Sequence, residues 1–235
     1  MSPVPVCYHD PMSSHLHPIA LLARLKGRLN AVRRGHRLQS LRNRGMHIGR
    51  DVNFADHLYV DEEYCALISI GDSTFFGPEC MILAHDAGPE IALGAVRVGT
   101  VVLHPSCHVG ARTIILPGVE IGPRTVIAAS SVVSRSLPAD TVCVGRPARP
   151  FSTLAQYLES HRQRLEGART FEYSTYDIPN LPPERRAALI SAVLAGDVYM
   201  VGGRSAELQG IGGRTPLETY VPTPPIAAES RHARR

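Results

Sequence analysis

From Leu103 onward an aliphatic residue returns at every sixth position: Leu103, Val109, Ile115, Ile121, Ile127, Val133. Two places earlier the residue is small or β-branched (Cys107, Thr113, Val119, Thr125, Ser131), and the next residue is often Gly or Ala (Gly110, Gly122, Ala128). Ile70, Phe76 and Ile82 form an earlier block in the same phase, preceded by weaker hexads at Ile48 and Phe54. A helix returns to one face every 3.6 residues and an ordinary strand every two, so neither satisfies a period of six. A short strand plus a turn does. Three such units close a triangular coil, and stacked coils make a parallel β-solenoid. Each aliphatic residue then points inward and rests on its equivalent three hexads on, as Ile115 would on Val133. An all-β sandwich with coincidental spacing is the competing reading, and six returns in phase disfavour it. The phase breaks between Ile82 and Leu103, whose separation is not a multiple of six. This predicts a loop, residues 85–98, that leaves the solenoid, and loops on a rigid scaffold are where function concentrates.

The repeat occupies residues 48–150 and the flanks differ in character. Residues 1–17 are Pro- and His-rich and read as a flexible leader. Residues 18–47 read as a basic amphipathic helix, with Leu22, Leu25, Leu29 and Val32 on one face. Residues 151–204 read as a helical extension: Leu154, Tyr157, Leu158 and Leu165 share a face, and PPERRAALISAVLAG has Pro at its start and Gly at its end. The Gly- and Pro-rich residues 205–235 read as a disordered tail.

Composition narrows the function classes. The chain has 235 residues, 44% of them hydrophobic and 20% charged. No run approaches the roughly 18 apolar residues of a membrane span, and the start lacks the basic and apolar regions of a signal peptide. The five cysteines are scattered without a C-x-x-C pair, which argues against a disulfide framework or a structural zinc site and fits a reducing cytoplasm. The net charge of +4 is uneven. Nine basic residues and no acidic one lie between Pro11 and Arg50, so the rest of the chain carries more acidic than basic side chains. That basic helix suits either a cap on the open end of the solenoid, the preferred reading, or peripheral contact with an anionic membrane. Without aromatic interleaving or a recognised motif, nucleic-acid binding is not expected.

The order of elements carries a family likeness. The segment ISIGDSTFFGPECMILAHDAGPEIALGAVRVG, followed by VGARTIILPGVEIGPRTVIAASSVVSRSLPADTVCVGRPAR, resembles the hexapeptide-repeat acyltransferases. Within them it is most similar to the sugar O-acetyltransferases, the galactoside, maltose and Nod-factor enzymes. The likeness spans about residues 46–150. It implies a left-handed parallel β-helix, a homotrimer, acetyl-CoA as donor, no required metal, and a small-molecule or glycan acceptor.

The resemblance also assigns residues. Transfer from a thioester to an alcohol requires the hydroxyl to lose its proton, and a neutral imidazole suits that at neutral pH. His85, at the start of the off-phase loop, matches the family's catalytic base. Asp61 matches the region where the family places an Asn or Asp touching the acceptor, and Asp86, next to His85, suits either contacting the acceptor or orienting the loop. The backbone at Gly110 and Ala111 matches the oxyanion donors, and Ala128 and Ala129, one coil later, match the backbone that hydrogen-bonds the pantetheine arm. Ser134, Arg135 and Arg149 match the hydroxyl and cations near the CoA phosphates, which Arg suits. His104 and His108 depart from the usual hexads. With His85 they suggest a zinc-binding γ-class carbonic anhydrase, but their spacing does not match that family. The remaining alternatives are N-acetylation of an amino sugar and a non-catalytic solenoid scaffold.

Overall fold

The computed structural model describes residues 36–54, 57–173, 175 and 181–202. Most of the expected basic helix, including Leu22, Leu25, Leu29 and Val32, lies outside them, as do residues 1–17 and the tail from 205.

The repeat forms a triangular parallel β-helix. Its first face stacks His47–Ile48, Ile68–Ile70, Val101–Leu103 and Val119–Ile121. The second stacks Asn53–Phe54, Phe75–Phe76, His108–Val109, Val126–Ile127 and Thr141–Gly145, and Ala148–Thr153 turns back antiparallel on its edge. The third stacks Tyr59–Val60, Met81–Ile82, Ile114–Ile115 and Val132–Val133. The hexad aliphatics pair in register and point inward: Ile70 with Leu103, Val109 with Ile127, Ile115 with Val133. All are buried. The small residues two places earlier line the narrow inside of the corners. Buried Thr74, Thr113, Thr125 and Ser131 keep their hydroxyls hydrogen-bonded to backbone, as from Thr113 to the Gly110 carbonyl at 2.7 Å. A buried hydroxyl without a partner would cost roughly 1–3 kcal/mol.

Two of the three corners are regular. Asp51, Ser73, Ser106, Arg124 and Asp140 at the first, and His57, Glu79, Arg112 and Ser130 at the second, all hold a left-handed backbone. Stacked corner residues pair across coils, Arg112 with Glu79 and Arg124 with Asp140, both at 2.6 Å. The third corner is irregular, and the phase breaks there more often than the single break expected. Ile48 pairs with Ile70, beyond the three-hexad step, because segment 61–67, with a 3₁₀ turn at Cys65–Leu67, is interposed. The step from Ile70 to Leu103 is longer still because the 85–98 loop is interposed. On this face only the step from Leu103 to Ile121 is three plain hexads.

The ends are closed. Residues 36–43 are helical (α1) and place Leu41 in the core beside Met46, covering the first coil. The hairpin Thr141–Thr153 leads into a helix at Leu154–Gly167, opened by a capping box in which Thr153 and Gln156 exchange hydrogen bonds. Beyond it the extension is helical only in part. Strands Arg169–Glu172 and Val198–Val201 pair in parallel around the helix Pro183–Ala195, with Phe171, Leu181 and Ala192 buried. Strands this short carry too little periodicity for their sequence to announce them.

Candidate active site

The irregular third corner holds the candidate site. Residues 85–98 form an arm in which His85–Asp86 pairs antiparallel with Arg97–Val98, with a short helix at Glu90–Leu93 near its tip. At its base Ala84 is buried, and its amide donates to Asp61 Oδ2 at 3.0 Å. His85 Nδ1 meets the same oxygen at 2.5 Å. Asp61 is 2% exposed and the His85 side chain 29% exposed. Burial alone would raise the Asp61 carboxyl. The Ala84 amide, the His85 ring and the Tyr64 amide outweigh burial and hold it below its ordinary value. An ionised carboxylate only accepts hydrogen bonds, so Nδ1 carries the proton, and the lone pair of the neutral ring sits on Nε2. Nε2 has no partner among the described residues. The Tyr64 ring lies against the imidazole, with centroids 5.0 Å apart and planes 43° apart.

The two expected acceptor residues differ in their surroundings. Asp61, expected at the acceptor, is buried under His85, and its Oδ2 is committed to the ring and to Ala84. Neighbouring side chains on a strand point to opposite sides, so Asp86 faces away from His85, and its carboxylate accepts from the Gly88 amide at 2.9 Å, shaping the arm's bend.

The backbone amides at the second corner divide into bonded and unbonded ones. The Gly110 amide donates to the Ile127 carbonyl at 2.8 Å and the Ala128 amide to Cys143 at 2.9 Å, so both are committed to the coil ladder. The next residues, Ala111 and Ala129, have amides that donate to no backbone carbonyl among the described residues. The small size of Gly110 has a packing cause, because a Cβ there would lie 2.4 Å from the Ala129 nitrogen.

Registers then divide the expected residues between two edges. Ser134 and Arg135 follow the third face, as His85 does, and stand on its corner two coils further along. Both are exposed. Gly110, Ala111, Ala128 and Ala129 follow the second face and stand at the next corner. Arg149, paired opposite Val144 above them, is at that end too. The two edges are one side of the triangle apart, a hexad of extended chain, or up to about 20 Å at ~3.3 Å per residue.

His104 and His108 are elsewhere. His104 Nε2 lies 2.7 Å from Glu120 Oε1, and His108 stacks on Phe75 at 4.8 Å on the second face. No group of three or more His, Cys, Asp or Glu is placed to hold a metal among the described residues. The Asp61–His85 and Tyr64–His85 contacts were not legible in sequence. They join the two irregular segments to each other, where the hexad phase is lost.

Residues 100–135 match the family model described as bacterial transferase hexapeptide (six repeats). The chain is 31% identical over 121 residues to a putative acetyltransferase, YvoF, of Bacillus subtilis, covering 52% of this chain and 68% of that one. It is 31% identical over 106 residues to a galactoside O-acetyltransferase of Lactococcus lactis, covering 42% of this chain and 51% of that one. It is 44% identical over 104 residues to the putative colanic acid biosynthesis acetyltransferase WcaF of Escherichia coli, covering 43% and 51%. The chain thus spans about half the length of the latter two relatives.

Proposed function

Because this chain belongs to the hexapeptide-repeat transferases, with their left-handed β-helix, we propose that it transfers an acetyl group from acetyl-CoA to a sugar hydroxyl. The sugar is borne by a polysaccharide precursor, a glycolipid or a glycosylated metabolite. The galactoside and colanic acid relatives support this acceptor class. The observation that carries the reading is the Asp61–His85 pair, which leaves Nε2 free and partly exposed where the arm leaves the coil.

His85 Nε2 takes the hydroxyl proton as the oxygen attacks the thioester carbon. The C–O bond forms, the C–S bond breaks, and the proton passes from the imidazolium to the CoA thiolate. Asp61 holds the tautomer and steadies the imidazolium. Such general-base assistance is worth about 10²–10⁴-fold. Among the described residues the state of the thiols supports direct transfer: Cys65, Cys80, Cys107 and Cys143 are buried, and burial pushes Cys107 up to about 12.

An amide that holds the oxyanion must lie about 3 Å from the thioester carbonyl oxygen, whose carbon is attacked by the hydroxyl that His85 deprotonates, and Ala111 of the same chain is a triangle side away. The site is therefore completed by a neighbouring copy, whose Ala111, Ala129 and Arg149 edge meets the His85 edge. Both edges flank the third face, whose outward column, Tyr59, Met81, Ile114 and Val132, is apolar. Three copies with that face toward a common axis close a ring. We place the enzyme in the cytoplasm, with peripheral membrane contact left to the basic segment before residue 36. No helix among the described residues is long and apolar enough to cross a membrane.

The test is a calorimetric titration with acetyl-CoA alongside acetyl-transfer assays of two variants. We expect saturable binding near one per chain. His85→Ala should abolish transfer with donor affinity nearly unchanged, and Arg149→Ala should weaken donor binding. Full turnover by His85→Ala would sink the mechanism.

A further inference from the structure

We propose that Tyr64 is a positioning residue for His85, and that the face of its ring holds the imidazole in place and stabilises the imidazolium formed as the acceptor proton is taken. This rests on the base assignment above. Tyr64 lies in segment 61–67, the insertion that lengthens the step from the first coil to the second beyond three hexads. The segment is pinned at both sides of the tyrosine. Asp61 precedes it, buried, and accepts from the Tyr64 amide. Cys65 follows, buried to 1% exposure, and the Leu67 amide donates to the Tyr64 carbonyl at 2.9 Å. The ring is half-buried against the core and meets His85 at 5.0 Å between centroids.

The Asp61 bond directs Nδ1 but leaves the imidazole free to swing about that contact, because the terminal torsion of His is broad. A tilted ring packed against it, with planes 43° apart, removes that freedom. A cation within about 6 Å of an aromatic centroid is also attracted by the ring quadrupole, so the contact strengthens when His85 gains the proton. The effect belongs to the ring and not to the hydroxyl. Besides Asp61, Glu63 and Glu90 lie toward Tyr64, and Asp86 and Arg97 stand opposite each other in the strand register of the arm.

The experiment compares Tyr64→Phe and Tyr64→Leu with the parent in the full-length protein. Acetyl-CoA is the donor and an aryl galactoside the acceptor probe. In parallel, NMR follows exchange of the His85 Nδ1 proton with water in the absence of acceptor. Tyr64→Phe should keep kcat within about twofold and leave exchange unchanged. Tyr64→Leu should lower kcat roughly tenfold and speed Nδ1–H exchange by a similar factor, with KM for acetyl-CoA unchanged. Parental kcat and exchange in Tyr64→Leu would overturn the proposal, as would a loss in Tyr64→Phe equal to that in Tyr64→Leu. The NMR arm decides the hold on the ring even if the probe is not an acceptor. A His85→Ala control that retains turnover would show that the base assignment, and not the Tyr64 contact, had failed.

Discussion

Asp61 shows how one buried carboxylate sets the state of its neighbour. It accepts from Ala84, His85 and Tyr64, and these bonds hold it ionised against the burial that would neutralise it. An amide at this position presents a donor where only an acceptor fits, and it favours the wrong imidazole tautomer. Asp61→Asn should therefore lower kcat by about 10²–10⁴-fold with little change in the KM for acetyl-CoA, measured by steady-state kinetics. The same bonds make stability depend on pH. The folded carboxyl lies below its ordinary value of 3.8, so its contribution is complete above that value and is lost as pH falls through the folded one. Acid unfolding followed by circular dichroism should show a loss of stability below about pH 4, and Asp61→Asn should flatten it.

The hexad is the element of this fold, and its constraints are steric as much as hydrophobic. At Gly110 a methyl group would lie 2.4 Å from the Ala129 nitrogen and 2.8 Å from the Ala128 carbonyl carbon, both rigid backbone of the next coil. Gly110→Ala should destabilise the protein by about 1–3 kcal/mol in chemical denaturation, with the coils forced apart locally. This position was readable from sequence as a small residue after an inward aliphatic, but its cause was not. The resemblance assigned Gly110 to the oxyanion, whereas its amide is bonded to Ile127 and the free amide is its neighbour's. The strands at Arg169–Glu172 and Val198–Val201 were missed for a different reason. They pair across a whole helix, and neither carries a repeat of its own.

At the scale of the whole molecule, the triangular section sets apart the groups that the proposed mechanism brings together. His85 is at one edge and Ala111 at the next, and neither can reach the other's substrate atoms within one chain. If neighbouring copies share each site, two inactive variants can repair one another. Co-refolding His85→Ala with Ala111→Pro should restore activity, with about a quarter of the sites intact in a random mixture, whereas each variant alone stays inactive. Activity that never exceeds that of the separate variants would show that each chain builds its site alone. The arm belongs to this scale as well. Ile91, 97% exposed, and Leu93 stand clear of their own chain near its tip.

The triangular coil was determined by local pattern. Period six is incompatible with a helix or a plain strand, and an inward aliphatic every sixth residue leaves one economical way to bury them all. The same pattern marked Ile82–Leu103 as the place where the chain departs, and the family resemblance picked out His85 at the start of that loop. What only the tertiary structure decided is how residues from different coils meet. Segment 61–67 shifts the phase by an amount that no sequence rule supplies, and that shift brings Asp61 and Tyr64 onto His85. Backbone amides have no signature in the sequence at all. Whether each is free or bonded follows from the register of the neighbouring coil, and it is this register that leaves Ala111 available and commits Gly110.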